Sequence, residues 1–445
     1  MMRRKFLVLF FLLCLSMLPA GLSSASVAPV ERVITPAGIE VWYVREPNIP
    51  VISVSIGFRG GTALDPAEKP GLANFALGLL NEGAGDMDAL TFQQAIVNRA
   101  IQLSGDASRD LITVSLQTLS RHRDEAFRLL GLALGDAHFA SEPVERVRRQ
   151  ILNTLADEEH NPHTIAARDW FSDVFADHPY SRRANGTKEA VRMITPEDLK
   201  VWAKERFARD NLIVGASGDV TSEEIARLVD IALAGLPARA VSLAVPEAVF
   251  PESGATQVVR LPLMQSIVVF GLPGIKRGDP DFYAAYVMNY VLGGGGFTSR
   301  LYQEVREKRG LAYSVYSYLA PLERASLYMG GVATRNDRVA ETLDIIRAEI
   351  ARLAVQNISA DELSMAKQYL TGAFPLRFDT GRKVARVLVQ MQFENLGMDY
   401  LMRRNDYIEA VTLKDTLRVA RRLLHPDRMR VIVVGDPEDL ASDGL

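Results

Sequence analysis

The chain has 445 residues, 48% of them hydrophobic and 24% charged, which is typical of a globular protein and excludes a disordered one. Its length allows two to four domains of ordinary size. The formal net charge is −3, and the basic residues are scattered without a long run or interleaved aromatic residues, so nucleic acid is not expected as a partner.

The first 26 residues have the pattern of a secretory signal peptide. Basic residues at positions 3–5 precede an apolar run at 6–18, and small residues follow at 23–25. The pattern predicts cleavage and a periplasmic location, with an uncleaved anchor as the alternative. The single cysteine, Cys14, lies inside the apolar run, so the mature protein is expected to have no disulfide or thiolate chemistry. No other apolar run approaches the length of a membrane span.

The mature chain begins with strand patterns and continues mostly with helical ones. The predicted strands cover residues 38–46, 51–58, 111–117 and 211–217. Thr195 and Pro196 open a helix with a hydroxyl cap and a proline at the first helical position. Thr221 and Glu224 form a capping box that opens the next helix.

The stretch 70–85, PGLANFALGLLNEGAG, predicts a helix that enters from a Pro-Gly turn and ends at a glycine-rich loop. Within it, Asn74 and Gly78 stand one turn apart. A glycine inside a helix costs about 1 kcal/mol relative to alanine, and a buried asparagine needs hydrogen-bond partners. Either another segment packs closely against Gly78, or a functional pair once occupied the two positions.

The second half of the chain repeats the order of predicted helices and strands found in the first half. Residues 194–219 align with residues 411–436 without a gap, and both segments end in Gly-Asp. Residues 234–256 are rich in proline and small residues and predict a linker. The expected fold is α+β, with two duplicated domains at 27–233 and 257–445. In each domain helices flank a mostly antiparallel sheet, and the pair forms a clamshell around a cleft.

Two groups of residues are candidates for chemistry. His160 and His163 suggest a metal site, but Pro162 breaks the helix between them, so a solvated helix end is the expected structure. Arg306 lies near the end of a charged helix, and Tyr313 opens the following strand. Such a corner can direct a guanidinium and a phenol at one carbonyl or oxyanion.

Nearly the whole mature chain resembles the pitrilysin-type (M16) zinc metallopeptidases, in their short bacterial class of two-chain assemblies. The resemblance rests on GFRGGTALDP with GLANF at 57–75, on Asn161-Pro162, and on GGG-x-x-SRL-x-x-x-x-R-x-x-x-GLAYSV at 294–315. In the last motif Arg306 and Tyr313 match the family's Arg–Tyr pair.

The resemblance also implies where zinc ligands stand in catalytic members, which carry H-x-x-E-H on a helix and a third ligand, a glutamate, on a later helix. The two histidines fall on Asn74 and Gly78 of this chain, the catalytic glutamate on Leu77 and the third ligand on Thr154. All four positions are altered, so this chain is expected to hold no metal or other cofactor.

The implied function is that of a zinc-less subunit in a heterodimeric metalloendopeptidase. The partner is a homologous chain that bears H-x-x-E-H and zinc, and the substrate is a peptide or an unfolded polypeptide. Arg306 and Tyr313 act in trans on the partner's site, binding substrate and stabilising the oxyanion. The alternatives are a peptide-binding or chaperone-like module without a catalytic partner, a structural subunit, or a self-sufficient zinc enzyme that uses His160 and His163.

Overall fold

The computed structural model describes residues 29–438 and residue 440. The predicted signal peptide at 1–26, with Cys14, lies outside the described residues. Eleven strands occur in the described part of the chain: β1 (Glu31–Ile34), β2 (Glu40–Arg45), β3 (Val51–Arg59), β4 (Gln102–Ala107), β5 (Leu111–Leu119), β6 (Leu212–Gly218), β7 (Ala255–Arg260), β8 (Gln265–Pro273), β9 (Ala312–Pro321), β10 (Ser326–Arg335) and β11 (Arg430–Gly435).

The same part of the chain forms fifteen α-helices. They are α1 (Leu72–Leu77), α2 (Ala89–Val97), α3 (Arg123–Gly135), α4 (Ser141–Glu158), α5 (Pro162–Val174), α6 (Lys188–Met193), α7 (Pro196–Arg206), α8 (Ser222–Leu233), α9 (Phe282–Asn289), α10 (Arg300–Tyr302), α11 (Val339–Gln356), α12 (Ala360–Gly372), α13 (Gly381–Phe393), α14 (Tyr400–Glu409) and α15 (Leu413–Leu423). Single π-helical turns follow α9 and α10, at Tyr290–Gly294 and Gln303–Glu307.

Two sheets form the framework, and their strand orders match except that the first sheet has the additional edge strand β1. The first has the strand order β1-β2-β6-β3-β5-β4, and the second has the order β7-β11-β8-β10-β9. In each sheet one pair is parallel, β2 with β6 and β7 with β11, and the other pairs are antiparallel. The predicted fold class, two duplicated α+β units with mostly antiparallel sheets, is confirmed.

The duplication extends to details of helix capping. The Thr195 hydroxyl accepts a hydrogen bond from the Asp198 backbone N–H, and the Thr195 backbone N–H donates to the Asp198 carboxylate, which is a complete capping box. Thr412 and Asp415 do the same at the start of α15. A capping box satisfies two backbone donors that the first turn of a helix leaves free, so both halves begin this helix by the same local device.

Each half contributes one helix that packs on the sheet of the other half. The second-half helix α13 covers the outer face of the first sheet, where a Cβ atom on Gly215 would lie 2.3 Å from the Ala385 carbonyl oxygen. The first-half helix α5 covers the second sheet in the same way, and its Trp170 is fully buried against Gly271. This helix exchange, of α5 and α13, joins the halves through two hydrophobic clusters.

The chain between the halves is extended. Helix α8 ends at Leu233 and β7 begins at Ala255, with no helix or strand between them. The backbone of Val241 is hydrogen-bonded to Glu205 and Arg206, so the segment is held against the first half. The proposed domain limits of 27–233, 234–256 and 257–445 stay a prediction, since the helix exchange takes packed elements across them.

Two strands of the first sheet were absent from the sequence prediction. β1 is a four-residue edge strand, and β4 has the sequence QLSGDA, which is poor in β-branched and aromatic residues. β4 forms because it pairs with β5 along its full length, from Gln102 to Ala107. Tertiary pairing therefore overrides weak local propensity at this edge.

Candidate functional site

Helix α1, which carries Asn74, is shorter than the sequence predicts. The α-helix ends at Leu77, and after Gly78 the backbone forms the tighter i→i+3 hydrogen bonds, Leu79 to Ala76 and Leu80 to Leu77. Gly78 therefore caps the helix and does not lie inside it. The prediction of a helix continuing to the glycine-rich loop was wrong, because glycine is a poor helix former and a frequent helix terminator.

A buried carboxylate fixes the start of this helix. Gly71 has φ +93°, which glycine adopts without strain, and its N–H donates to the Asp65 carboxylate at 2.9 Å. The N–H of Ala73 donates to the other oxygen at 3.1 Å. Asp65 is 2% exposed, and burial raises its pKa to about 7, although the two N–H donors favour the ionised form.

Asn74 is half-buried and its amide is satisfied. Its Nδ2 donates to the Ala184 carbonyl oxygen at 2.9 Å and to Asn185 Oδ1 at 3.2 Å. Both acceptors belong to the loop before α6. These bonds satisfy the requirement of a partly buried amide, and they make Asn74 a tether between α1 and that loop.

The other three predicted positions also lack metal-binding groups. Leu77 is buried against β4, where a Cβ on Gly105 would lie 2.7 Å from the leucine side chain. Gly78 is exposed, and a Cβ there would lie 3.3 Å from Val147, so close packing is tight but not prohibitive. Thr154 is exposed on α4, and its hydroxyl donates to Gln150 O at 3.1 Å.

These residues do not fit a zinc ion. An amide, an alkyl chain, a glycine and an exposed hydroxyl supply none of the imidazole and carboxylate ligands of a hydrolytic zinc site. Across residues 29–438 the structure contains no group of three or more His, Cys, Asp or Glu side chains that could hold a metal. His160 and His163 are exposed on either side of the break between α4 and α5, where Asn161 caps α5.

Arg306 and Tyr313 are brought together. Arg306 lies in the π-helical turn after α10, and Tyr313 is the second residue of β9. The guanidinium carbon is 4.4 Å from the centre of the Tyr313 ring and 4.8 Å from that of Tyr302, whose hydroxyl accepts a hydrogen bond from Arg306. This is cation–π geometry on two rings.

The pair faces solvent. Tyr313 is 79% exposed, and its hydroxyl has no hydrogen-bond partner in the described part of the chain. Phe297 is exposed beside it, with Arg306 6.0 Å from its ring centre. Stacking restricts Arg306 while leaving its outer N–H groups and the Tyr313 hydroxyl free to donate.

Arg309 has a different environment. It donates to the backbone oxygen and to the carboxylate of Glu304, both at 2.7 Å. Lys308 donates to the same carboxylate at 2.6 Å, and these bonds hold the pKa of Glu304 below its usual value. Arg309 therefore stabilises the turn, whereas Arg306 contacts aromatic faces.

Sequence reasoning missed the rest of this surface. Tyr316 and Tyr318 are also exposed on β9, with ring centres 6.2 Å apart and stacked. β9 is the edge strand of the second sheet. The alternation of tyrosine in AYSVYSYL was the available signal, because alternate residues of a strand share one face.

A second missed signal is a repeated pentapeptide. Residues 74–78 read NFALG and residues 289–293 read NYVLG, so Asn-x-x-Leu-Gly stands at the corresponding place of both halves. Asn289 is buried and accepts a hydrogen bond from Ser317 at 2.8 Å. A Cβ on Gly293 would lie 2.7 Å from the Ser317 nitrogen, so this glycine is required for close approach.

Comparisons with known proteins agree with these observations. A family model described as the peptidase M16 inactive domain matches residues 193–370. The M16 inactive domain from Pseudomonas fluorescens has the same fold, with a TM-score of 0.86 and 26% identity, covering 94% of this chain and 99% of that one. The chain is therefore similar to the M16 peptidase family in both sequence and fold.

Similar proteins are named either as non-peptidase homologues or as zinc proteases. The non-peptidase homologue YmxG of Helicobacter pylori is 29% identical over 398 residues, 89% of this chain and 91% of the relative. An uncharacterized zinc protease of Streptomyces coelicolor is 26% identical, with 94% and 92% covered. The inactive-domain matches and the non-peptidase homologue support a non-catalytic M16-like subunit without catalytic zinc of its own. No helix of the described part of the chain is both long and apolar enough to cross a membrane.

Proposed function

We propose that this M16-like chain is the zinc-less subunit of a two-chain metalloendopeptidase and completes the active site of a zinc-bearing homologue. The observation that carries the proposal is the solvent-facing Arg306–Tyr313 stack, with free donors, in a chain whose own zinc positions hold no ligands. The Tyr313 hydroxyl and those Arg306 N–H groups that Tyr302 does not engage suit a site completed by another chain.

The two side chains suit different parts of peptide hydrolysis. Arg306 offers fixed guanidinium donors to a substrate carbonyl or carboxylate in the ground state. Tyr313 offers one hydroxyl donor, which can stabilise the oxyanion that forms when a peptide carbonyl is attacked. The aromatic contacts of Arg306 restrict its motion, so less conformational entropy is lost when substrate binds.

The proposal includes a periplasmic location, on the basis of the signal-like pattern at 1–26. The partner is expected to be a homologous chain with H-x-x-E-H, and the substrate a peptide or unfolded polypeptide. The alternative of a peptide-binding or structural protein without a catalytic partner predicts that Tyr313 has no effect on any hydrolysis.

The test is Tyr313→Phe in the complex reconstituted with the zinc-bearing homologue. Loss of one oxyanion donor typically costs about 2.7–4 kcal/mol, or roughly 10²–10³ in kcat. We expect kcat for a quenched peptide to fall by that factor while complex formation, measured by sedimentation, is unchanged. Arg306→Ala is expected to raise KM as well, because Arg306 also positions substrate before the reaction.

Two variants serve as controls. Tyr316→Phe removes a hydroxyl from another exposed tyrosine of the same strand, and Arg309→Ala removes a guanidinium three residues after Arg306. Both are expected to keep kcat within about threefold of the parent, because neither side chain is proposed to contact the substrate. A threefold change is small on a scale where each factor of ten corresponds to about 1.4 kcal/mol. If Tyr313→Phe behaves like Tyr316→Phe, the chain does not complete the active site, and its role is substrate capture or scaffolding.

A further inference from the structure

A cavity of about 400 Å³ opens beside the loop that holds Asn74. The end of α4, the start of α5 and residues 181–185 form its walls. Four arginines line it, with two glutamates: Arg109, Arg168, Arg182, Arg183, Glu158 and Glu159. We call this the arginine cavity.

The acidic residues of the arginine cavity are already engaged. Glu159 is ion-paired with Lys188, and Glu158 accepts a hydrogen bond from Asn185 at 2.7 Å. The lysine lies outside the lining, so it neutralises an acid that would otherwise compensate the arginines. Of the four arginines, Arg168 has a carboxylate partner, Asp169, at 2.6 Å.

Arg109 is a desolvated cation without a carboxylate partner. Its Nε donates to the Tyr180 carbonyl oxygen at 3.1 Å, and its guanidinium carbon lies 3.6 Å from the centre of the Phe171 ring. Within residues 29–438 it forms no ion pair at 4.0 Å or less, and the same is true of Arg182 and Arg183. Burial lowers the pKa of Arg109, although arginine keeps its charge in proteins.

The second half shows what such a guanidinium binds when the fold supplies it. α13 corresponds to α5, and a cavity of about 240 Å³ lies beside it. There Arg277 stacks on Phe282 at 4.2 Å and is ion-paired with the Glu394 carboxylate at 2.9 Å. Arg109 stacks on Phe171 in the first half but lacks this internal carboxylate.

We propose that the arginine cavity binds a carboxylate group of a peptide, supplied by an Asp or Glu side chain or by the C-terminus. Guanidinium groups bind carboxylates through paired, charge-assisted hydrogen bonds, and Phe171 provides an apolar wall for the side-chain methylenes. Assigning the ligand to a peptide rests on the proposed function. The cavity adjoins α1, because hydrogen bonds link Asn74 to Asn185 and Asn185 to Glu158.

The experiment is calorimetric titration of the isolated chain with three N-acetylated nonapeptides. The first is Gly-Ala-Ser-Ala-Glu-Ala-Ser-Ala-Gly amide, the second has Gln in place of Glu, and the third is the Gln peptide with a free C-terminus. We expect the wild-type chain to bind at least one carboxylate-bearing peptide about tenfold or more tightly than the Gln amide, as one charge-assisted pair predicts. The first and third peptides distinguish the two sources of the carboxylate.

Three variants locate the site. Arg183→Gln, at a partly exposed position, and Arg109→Gln are expected to reduce the preference to less than about threefold, and Arg109→Lys is expected to retain part of it. Arg192→Gln is the matched control, because this arginine is 58% exposed on the neighbouring α6 and does not line the cavity.

Two results would overturn the proposal. One is equal affinity for all three peptides, and the other is an equal loss of preference in Arg192→Gln and Arg183→Gln, which would indicate attraction to the general surface charge. Because the titration uses no partner chain, its failure is distinguishable from failure of the Tyr313→Phe test, which measures hydrolysis in the complex.

Discussion

Asn74 is predicted, from the family resemblance, to stand where catalytic M16 members carry a histidine, and in the structure its amide ties α1 to Ala184 and Asn185. Because Leu77, Gly78 and Thr154 complete no ligand set with it, we expect the dialysed chain to retain no stoichiometric zinc. Elemental analysis of the protein checks this. About one tightly held zinc per chain would contradict the expectation and direct attention to His160 and His163.

The buried carboxyl of Asp65 predicts that the stability of the fold depends on pH. This carboxyl titrates near its usual 3.8 when the chain is unfolded and near 7 when folded, because burial penalises the charge. Between these values the folded state binds more protons, so this group lowers stability as pH rises from about 4 to about 7. One unit of pKa difference is worth about 1.4 kcal/mol, so we expect a decline of about 2–4 kcal/mol.

The measurement is urea unfolding of the wild-type chain and of Asp65→Asn at several pH values. Asn has no charge to titrate, so the difference in unfolding free energy between the two proteins should change in favour of the variant between pH 4 and pH 7. Parallel pH profiles for the two proteins would show that Asp65 does not titrate in this window.

At the scale of elements, the helix exchange contains a buried ion pair. Asp173 on α5 accepts two hydrogen bonds from the Arg430 guanidinium on β11, one of them at 2.7 Å. The side chains are 7% and 9% exposed. Removing one partner of a buried pair leaves an uncompensated charge and typically costs about 3–5 kcal/mol. We expect Asp173→Asn to destabilise the chain by a comparable amount, measured by denaturant unfolding.

The control for this prediction is Asp344→Asn. Asp344 lies on α11 with its side chain 78% exposed and an arginine at 3.7 Å. Exposed pairs contribute about 0–1 kcal/mol, so this variant should unfold close to the wild type. If both variants unfold alike, the contact between α5 and the second sheet contributes little to stability.

At the scale of the whole molecule, the helix exchange predicts that the halves fold together. A fragment ending at residue 236 would leave the first sheet without α13 and expose Trp42 and Val44, which pack against Leu388 in the whole chain. It would also leave Trp170 without its partners on the second sheet. We expect each half alone to lack a cooperative unfolding transition and native near-ultraviolet dichroism.

Co-expression of residues 29–236 with 237–445 should restore both properties, because the exchanged faces would then be covered. A cooperative transition in the first half alone would show that α5 and α13 are dispensable. For the proposed two-chain assembly, the same packing predicts that opening occurs between chains and not at residues 234–256, because opening there would separate the exchanged helices from their sheets.

The sequence by itself determined the duplicated fold, the capped helices and the Arg306–Tyr313 corner. Each depends on residues that are close in the chain: a threonine three residues before an acid, an alternating strand, or a helix end seven residues from a strand start. The Asn-x-x-Leu-Gly repeat was equally local, and it was readable from residues 74–78 and 289–293. Local hydrogen bonds and periodic patterns specify such features, so the features can be recognised in the sequence.

The tertiary structure alone decided the features that depend on distant residues. Trp170 donates to the Arg430 carbonyl oxygen across 260 positions of the chain, and no periodicity encodes that contact. The pairing that forms β4 and the early end of α1 at Gly78 are similar cases. The arginine cavity is another, because only the fold shows that Arg109 lies at the cavity without a carboxylate within ion-pair distance among the described residues. Burial and charge balance depend on how the chain packs, so they can be determined only from the three-dimensional structure.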